Sequence, residues 1–114
     1  MSDADTSGAG THSAVVIEDV LGASRYEARA GSELAGWVDY RRLGRRLVAI
    51  HTEVRPAFGG QGIASALIRR VIDDARATAV RISPACPLFA AHFARHPEDG
   101  DVLAPGRAGR GPSG

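Results

Sequence analysis

Residues 54–64 read V-R-P-A-F-G-G-Q-G-I-A, and the fold turns on them. An apolar run, 46–54 (R-L-V-A-I-H-T-E-V), leads in, and an amphipathic run, 62–77, leads out. Between them lies a glycine-rich turn without an acidic side chain. A strand that ends in such a turn and opens a helix leaves several backbone N–H groups without partners. The positive end of the helix dipole stands behind them. That arrangement holds phosphate or pyrophosphate.

The flanks have clear periods. In 46–54, Val48, Ile50, Thr52 and Val54 share one face of an extended chain, and Leu47, Ala49, His51 and Glu53 share the other. Both faces begin apolar, so the strand is expected to be central. His51 and Glu53 fall at its C-terminal end, where α/β folds place their sites. In 62–77, Ile63, Leu67 and Val71 recur every four residues, as do Ala64, Ile68 and Ile72. Charged residues fill the opposite side, which predicts an amphipathic helix. Arg69 with Asp73, and Arg70 with Asp74, are spaced to pair on it. A short strand at 80–83 (V-R-I-S) completes a strand–helix–strand unit with neighbouring parallel strands.

Upstream, 14–17 (A-V-V-I) reads as an edge strand and 18–24 as a polar connection. Residues 25–30 alternate, with Tyr26, Ala28 and Ala30 on one face. Gly31-Ser32 marks a turn, and 34–40 returns as the second strand of a hairpin. Gly36 within it implies a bulge or a close approach. Trp37 and Tyr40 read as sheet packing. Arg41-Arg42 and Arg45-Arg46 bracket Leu43-Gly44. They read as a solvated hairpin tip, with an acidic partner or a substrate phosphate as the alternatives. Downstream, Pro84-Ala85-Cys86-Pro87 is a stiff connection, and 88–96 a short helix stopped by Pro97. A polar loop at 97–101 and a last strand at 102–103 end the fold. The expected architecture is α+β, or mixed α/β: antiparallel hairpins leading into a central twisted sheet with one βαβ unit and a short C-terminal helix.

The 114-residue length fits one domain. Residues 1–13 and 105–114 are small and polar and read as disordered tails, leaving 14–104 for the fold. A domain this small buries a modest core, so monomer and homodimer both stay open. The net charge of +1 argues against a general nucleic-acid binder. No apolar run is long enough to span a bilayer, and the start shows no basic region followed by an apolar one. The one cysteine, Cys86, excludes an internal disulfide. The expectation is a cytoplasmic protein with neither nucleic acid nor membrane as a partner.

Three phosphate-bearing ligands compete for the turn. A P-loop needs Gly-Lys before Ser or Thr, and the chain contains no lysine. A dinucleotide fingerprint needs a third glycine where Ser65 stands, and an acid at the end of the next strand, where 81–83 supply none. The third is acetyl-CoA. Gly59-Gly60-Gln61-Gly62-Ile63-Ala64 resembles the acetyl-CoA loop of the GNAT superfamily of N-acetyltransferases, with core pattern [Q/R]-x-x-G-x-[G/A]. It matches at Gly62 and Ala64 and departs at Gly59. His51-Thr52-Glu53-Val54, Cys86-Pro87 and His96-Pro97-Glu98 extend the likeness to a small, single-domain branch with a cysteine near the acetyl-CoA site.

The resemblance implies a GNAT-like fold in which strand 46–54 splays from its parallel neighbour. It implies acetyl-CoA as co-substrate, with pantetheine on main chain near Val54 and pyrophosphate on N–H groups of Gly59, Gly60, Gln61, Gly62, Ile63 and Ala64. The reaction would be acetyl transfer to an amine, on a small molecule or a peptide, by direct attack. His51 and Glu53 are the candidates to take the amine proton. Cys86 has three readings: nucleophile, proton donor to departing CoA, or packing. The helix tyrosine that many GNAT enzymes use as the acid is missing here. His92 and His96, four apart, suggest no metal site, because no third ligand is evident. The alternative class is an acyl-CoA-binding module, weakly catalytic or non-catalytic, that acts through a partner.

Overall fold

The computed structural model describes residues 15–105. The two tail assignments, apart from Pro105, and Ala14 lie outside the described residues. Five strands follow in chain order across one sheet: β1 (Val15–Val20), β2 (Arg25–Ala30), β3 (Glu33–Leu43), β4 (Arg46–Val54) and β5 (Arg81–Pro84). The first three pairings are antiparallel and the last, β4 with β5, is parallel. Helix α1 (Ile63–Ala77) makes the crossover, and α2 (Pro87–Arg95) follows β5. This is the mixed α+β architecture that the sequence implies.

Both helices lie on one side of the sheet. Tyr26, Ala28, Val38, Tyr40, Leu47 and Ala49 face them, and Leu67, Val71, Ile72 and Phe89 close the core. The opposite face bears Arg25, Glu27, Trp37 and Asp39. There the Arg25 guanidinium lies 4.8 Å from the Trp37 ring centroid and 3.3 Å from Asp39.

Two strands outrun their expected limits. β1 continues through Val20, because Glu18, Asp19 and Val20 each find a partner on β2. The Asp19 carboxylate also accepts from the Tyr40 hydroxyl at 2.7 Å. Burial and this bond push the Tyr40 phenol up to about 12. A 3-10 turn at Leu21–Ala23, not an irregular connection, joins β1 to β2. β3 reaches Leu43 because Arg41, Arg42 and Leu43 pair with β4.

The face assignment on β4 needs correction. Asp39 pairs with His51 but Tyr40 with Ala49, so Ile50 is one residue too many for its partner strand. Such a bulge resets the alternation. Leu47 and Ala49 point into the core, and after Ile50 the core residue is Thr52. His51 and Glu53 therefore do not share a face with Leu47 and Ala49; they stand exposed on the far side.

The C-terminal segment is pinned from below. Residues 97–101 are not a loop but most of a 3-10 helix, Pro97–Val102, whose Asp99 is 4 % exposed. Its carboxylate accepts from Arg69 at 2.8 Å, Arg76 at 3.1 Å and His92 Nε2 at 2.9 Å, tying α1, α2 and this turn together. Residues 102–103 add a single bridge, Leu103 to Ile82, rather than a strand.

Candidate functional site

β4 and β5 pair only over Arg46–Ala49 and Arg81–Pro84. The Cys86 N–H closes the ladder by donating to the Ala49 carbonyl at 2.8 Å. Past that point β4 runs on to Val54 while the other chain turns into α2, and the parallel strands part. Arg55 donates its N–H toward β3, to Ala35 O at 2.8 Å. By strand alternation the N–H and C=O of Val54 face the gap.

A groove of about 290 Å³ opens at this parting, lined by Val54, the glycine turn, the first turn of α1, Phe58 and Leu88. Gly60 (φ 78°) and Gly62 (φ 77°) hold left-handed backbone, which a side chain resists. Gly62 caps α1 with no side-chain bond, and Ala66 is the first residue to donate back, to Gly62 O at 3.0 Å. The N–H groups of Ile63, Ala64 and Ser65 thus have no partner within the helix. Neither a carboxylate nor a cation lines the groove. An anion placed there would meet main-chain N–H groups and the positive end of the helix dipole rather than a cationic side chain.

Six of the seven expected cofactor residues line this groove: Val54, Gly59, Gly60, Gly62, Ile63 and Ala64. Gln61 does not; it borders a separate pocket of about 100 Å³ with Val15 and Ile17. Phe58, Ser65 and Leu88 line the groove without having been singled out from the sequence. Leu88 carries a usable mark, since an apolar residue in the first turn of a helix that follows a parted strand must meet the gap. Gly59 has φ −64° and ψ 148°, a backbone open to any residue, and a Cβ there meets only Pro56 O, at 3.4 Å.

The three expected catalytic residues do not converge. His51 and Glu53 bond each other, Nε2 to Oε1 at 2.9 Å, on the face away from the helices. Cys86 is buried on the helix side, and its thiol donates to the Thr52 hydroxyl at 3.3 Å. The unpaired edge of β4 lies between these groups. Thr52 is the residue that sequence reasoning missed, because the unseen bulge put it on the wrong face. His92 and His96 are engaged elsewhere, stacked at 4.5 Å and bonded to Asp99 and Glu98 respectively. Among the described residues no group of three metal-ligating side chains forms.

The fold and the groove define the class: an acyltransferase of GNAT type. The sequence model of the GCN5-related N-acetyl-transferase family matches residues 25–102. The chain belongs to that family. Its fold is similar to that of a GCN5-like protein from Staphylococcus aureus solved by NMR: 21 % identity, 81 % of this chain, 90 % of that one, TM-score 0.63. A nourseothricin acetyltransferase aligns more loosely, at 26 % identity over 63 % of this chain and 46 % of that one, TM-score 0.46. No curated protein matches the chain. Among the described residues no helix is long and apolar enough to cross a membrane.

Proposed function

We propose that the protein transfers an acetyl group from acetyl-CoA to an amine, with the thioester held where β4 parts from β5. The observation that carries this reading is the groove itself, which joins the exposed backbone of Val54 to the unpartnered N–H groups of the α1 N-terminus. Acetyl-CoA supplies the activated acetyl group: the amine nitrogen bonds to the acetyl carbon, the C–S bond breaks, and the amine gives up a proton. Phosphate oxygens suit the glycine turn and the first turn of α1, and Phe58 and Leu88 suit the pantetheine arm. The Val54 N–H orients the carbonyl side of the arm.

The His51–Glu53 pair takes the amine proton. The two side chains already share one hydrogen bond, and each is about half exposed. Cys86 is buried with its thiol bonded to Thr52, a geometry that favours pocket shape over attack on the thioester or proton donation to CoA. The acceptor reaches the gap from the exposed face, since α2 and the core fill the other side.

Calorimetry with acetyl-CoA, followed by thiol release across a panel of amines and peptides, tests the reading. Binding with turnover is expected. Binding without turnover would establish the acyl-CoA-binding module instead. Glu53→Gln is expected to lower kcat about 10²-fold, in the range of a lost general base. Cys86→Ala is expected to lower it less than tenfold, short of that range. A larger loss for Cys86→Ala would reinstate the nucleophile.

Gly59→Arg tests the phosphate end. Its backbone accepts any side chain, so Tm should stay within a few degrees of wild type. A charge-assisted bond to phosphate should tighten acetyl-CoA binding about tenfold. Unchanged affinity would mean that the phosphates lie away from the turn.

A further inference from the structure

Five arginines gather at one end of the sheet. Arg41 and Arg42 end β3, Arg45 sits in the turn, Arg46 starts β4, and Arg81 starts β5 as the parallel neighbour of Arg46. All five are exposed. None forms an ion pair with a described residue, a condition they share with Arg55 and Arg95, whereas Arg25, Arg29, Arg69, Arg70 and Arg76 each do. Arg42 gives Nε to Gly44 O at 2.9 Å, and Arg81 gives Nη1 to Leu103 O at 3.3 Å. Among the described residues their remaining donors have no side-chain partner. Leu43 stands among them, 54 % exposed, beside Gly44 at φ 60°.

The placement of these charges selects the partner. Arg42 lies on the helix side, bordering a pocket with Val71 of α1 and Thr78, which caps that helix. Strand alternation puts Arg41 on the opposite side, with Asp39. The cations therefore surround the end of the sheet, and a partner laid on one face meets only some of them. A flat anionic surface met end-on reaches them all and takes Leu43 into its apolar layer. A nucleic-acid duplex also offers phosphates, but sets polar base edges against that leucine.

We propose that the Arg41–Arg46 turn, with Arg81, docks on an anionic phospholipid surface. The sequence excludes a membrane partner only for want of a spanning segment, and surface docking needs none. β4 runs from this turn to the groove, about 30 Å at strand rise, so docking leaves the groove clear. The proposal is independent of the acetyl-transfer reading.

Co-sedimentation of the full chain with lipid vesicles tests it. Binding is expected to vesicles containing about one-third phosphatidylglycerol and not to phosphatidylcholine alone, and is expected to vanish at about 0.5 M salt. Arg45→Glu with Arg46→Glu should weaken it at least tenfold, and Leu43→Ser about fivefold with the salt dependence retained. The altered positions are exposed, and an unchanged Tm will show that both variants fold. Equal binding to phosphatidylcholine, no binding to phosphatidylglycerol, or full binding by the double variant overturns the proposal. So does tighter binding to a mixed-sequence DNA duplex at the same salt.

Discussion

Gly36→Ala will cost about 2–3 kcal/mol of stability and will raise the acetyl-CoA Kd at least tenfold. The residue lies in the interior of β3 opposite Val54, with Ala35 bulged beside it. A Cβ at this position would stand 2.7 Å from the Glu53 carbonyl oxygen, 3.2 Å from Ile63 Cγ2 and 3.3 Å from Val54 Cα. Two of those atoms are backbone and cannot swing aside. Both belong to the end of β4, and the third to the first residue of α1; Val54 and Ile63 line the groove. One added methyl therefore displaces the lip that carries Glu53 and the helix N-terminus that carries the unpartnered N–H groups. Gly22→Ala is the control, since nothing lies within 4 Å of a Cβ there. Thermal unfolding should show a loss of roughly 10 °C for Gly36→Ala and little change for Gly22→Ala. Calorimetry then reads the affinity on the folded fraction. A Gly36→Ala protein with wild-type affinity would show that groove and strand are not coupled in this way.

Asp99→Asn will destabilise the fold by about 2 kcal/mol at neutral pH. The carboxylate is buried while its two arginine partners are each less than half exposed, so those can regain water when the charge is removed. The amide keeps the shape but sets N–H against guanidinium N–H. Above all, the hydrogen bonds from Arg69, then those from His92 and Arg76, hold the Asp99 carboxyl well below the usual carboxylate range. A carboxyl depressed in the folded state adds stability that is complete above its ordinary value near 4 and is lost as pH falls below it. Wild-type unfolding free energy should therefore drop as pH is lowered from about 4, and the Asn variant should drop less steeply. Asp101, bound to Arg76 through two 2.8 Å contacts, and Glu98 are depressed as well. Part of the acid slope will remain in the variant. Parallel slopes for the two proteins would remove Asp99 from the account. Urea titrations at a series of pH values make the measurement.

The contrast between these two positions shows what a linear sequence reveals. Gly36 is visible because glycine inside an alternating strand has few explanations, and close approach is one of them. The period-four pattern of 63–72 marks α1, and the glycine turn before it marks the groove, for the same reason: local chemistry forces local geometry. Asp99 gives no such sign. Its partners sit 30 and 23 residues upstream on α1 and seven upstream on α2, and only the packed fold brings them together. Thr52 was lost for another reason. Alternation was read straight through 46–54, and nothing in V-A-I-H-T announces that Ile50 has no partner of its own. The bulge is fixed by pairing with β3, where buried Tyr40 and Val38 meet Ala49 and Thr52.

That extra residue divides β4 into two segments of opposite parity. The segment next to the arginine turn shows its odd-numbered positions to the core; the segment beside the groove shows its even-numbered ones. The first packs the core through Leu47 and Ala49 and the second borders the groove at Val54, and a single extra residue lets each follow its own rule along one continuous strand. His51 and Glu53 can thus be polar, adjacent to the gap and open to solvent without any charge being driven into the interior. Pairing Ile50 in register, without the bulge, would rotate the half beside the groove as a block, turning two ionisable side chains inward and Thr52 outward. The exposure of His51 and Glu53 depends on one extra residue that the sheet preserves.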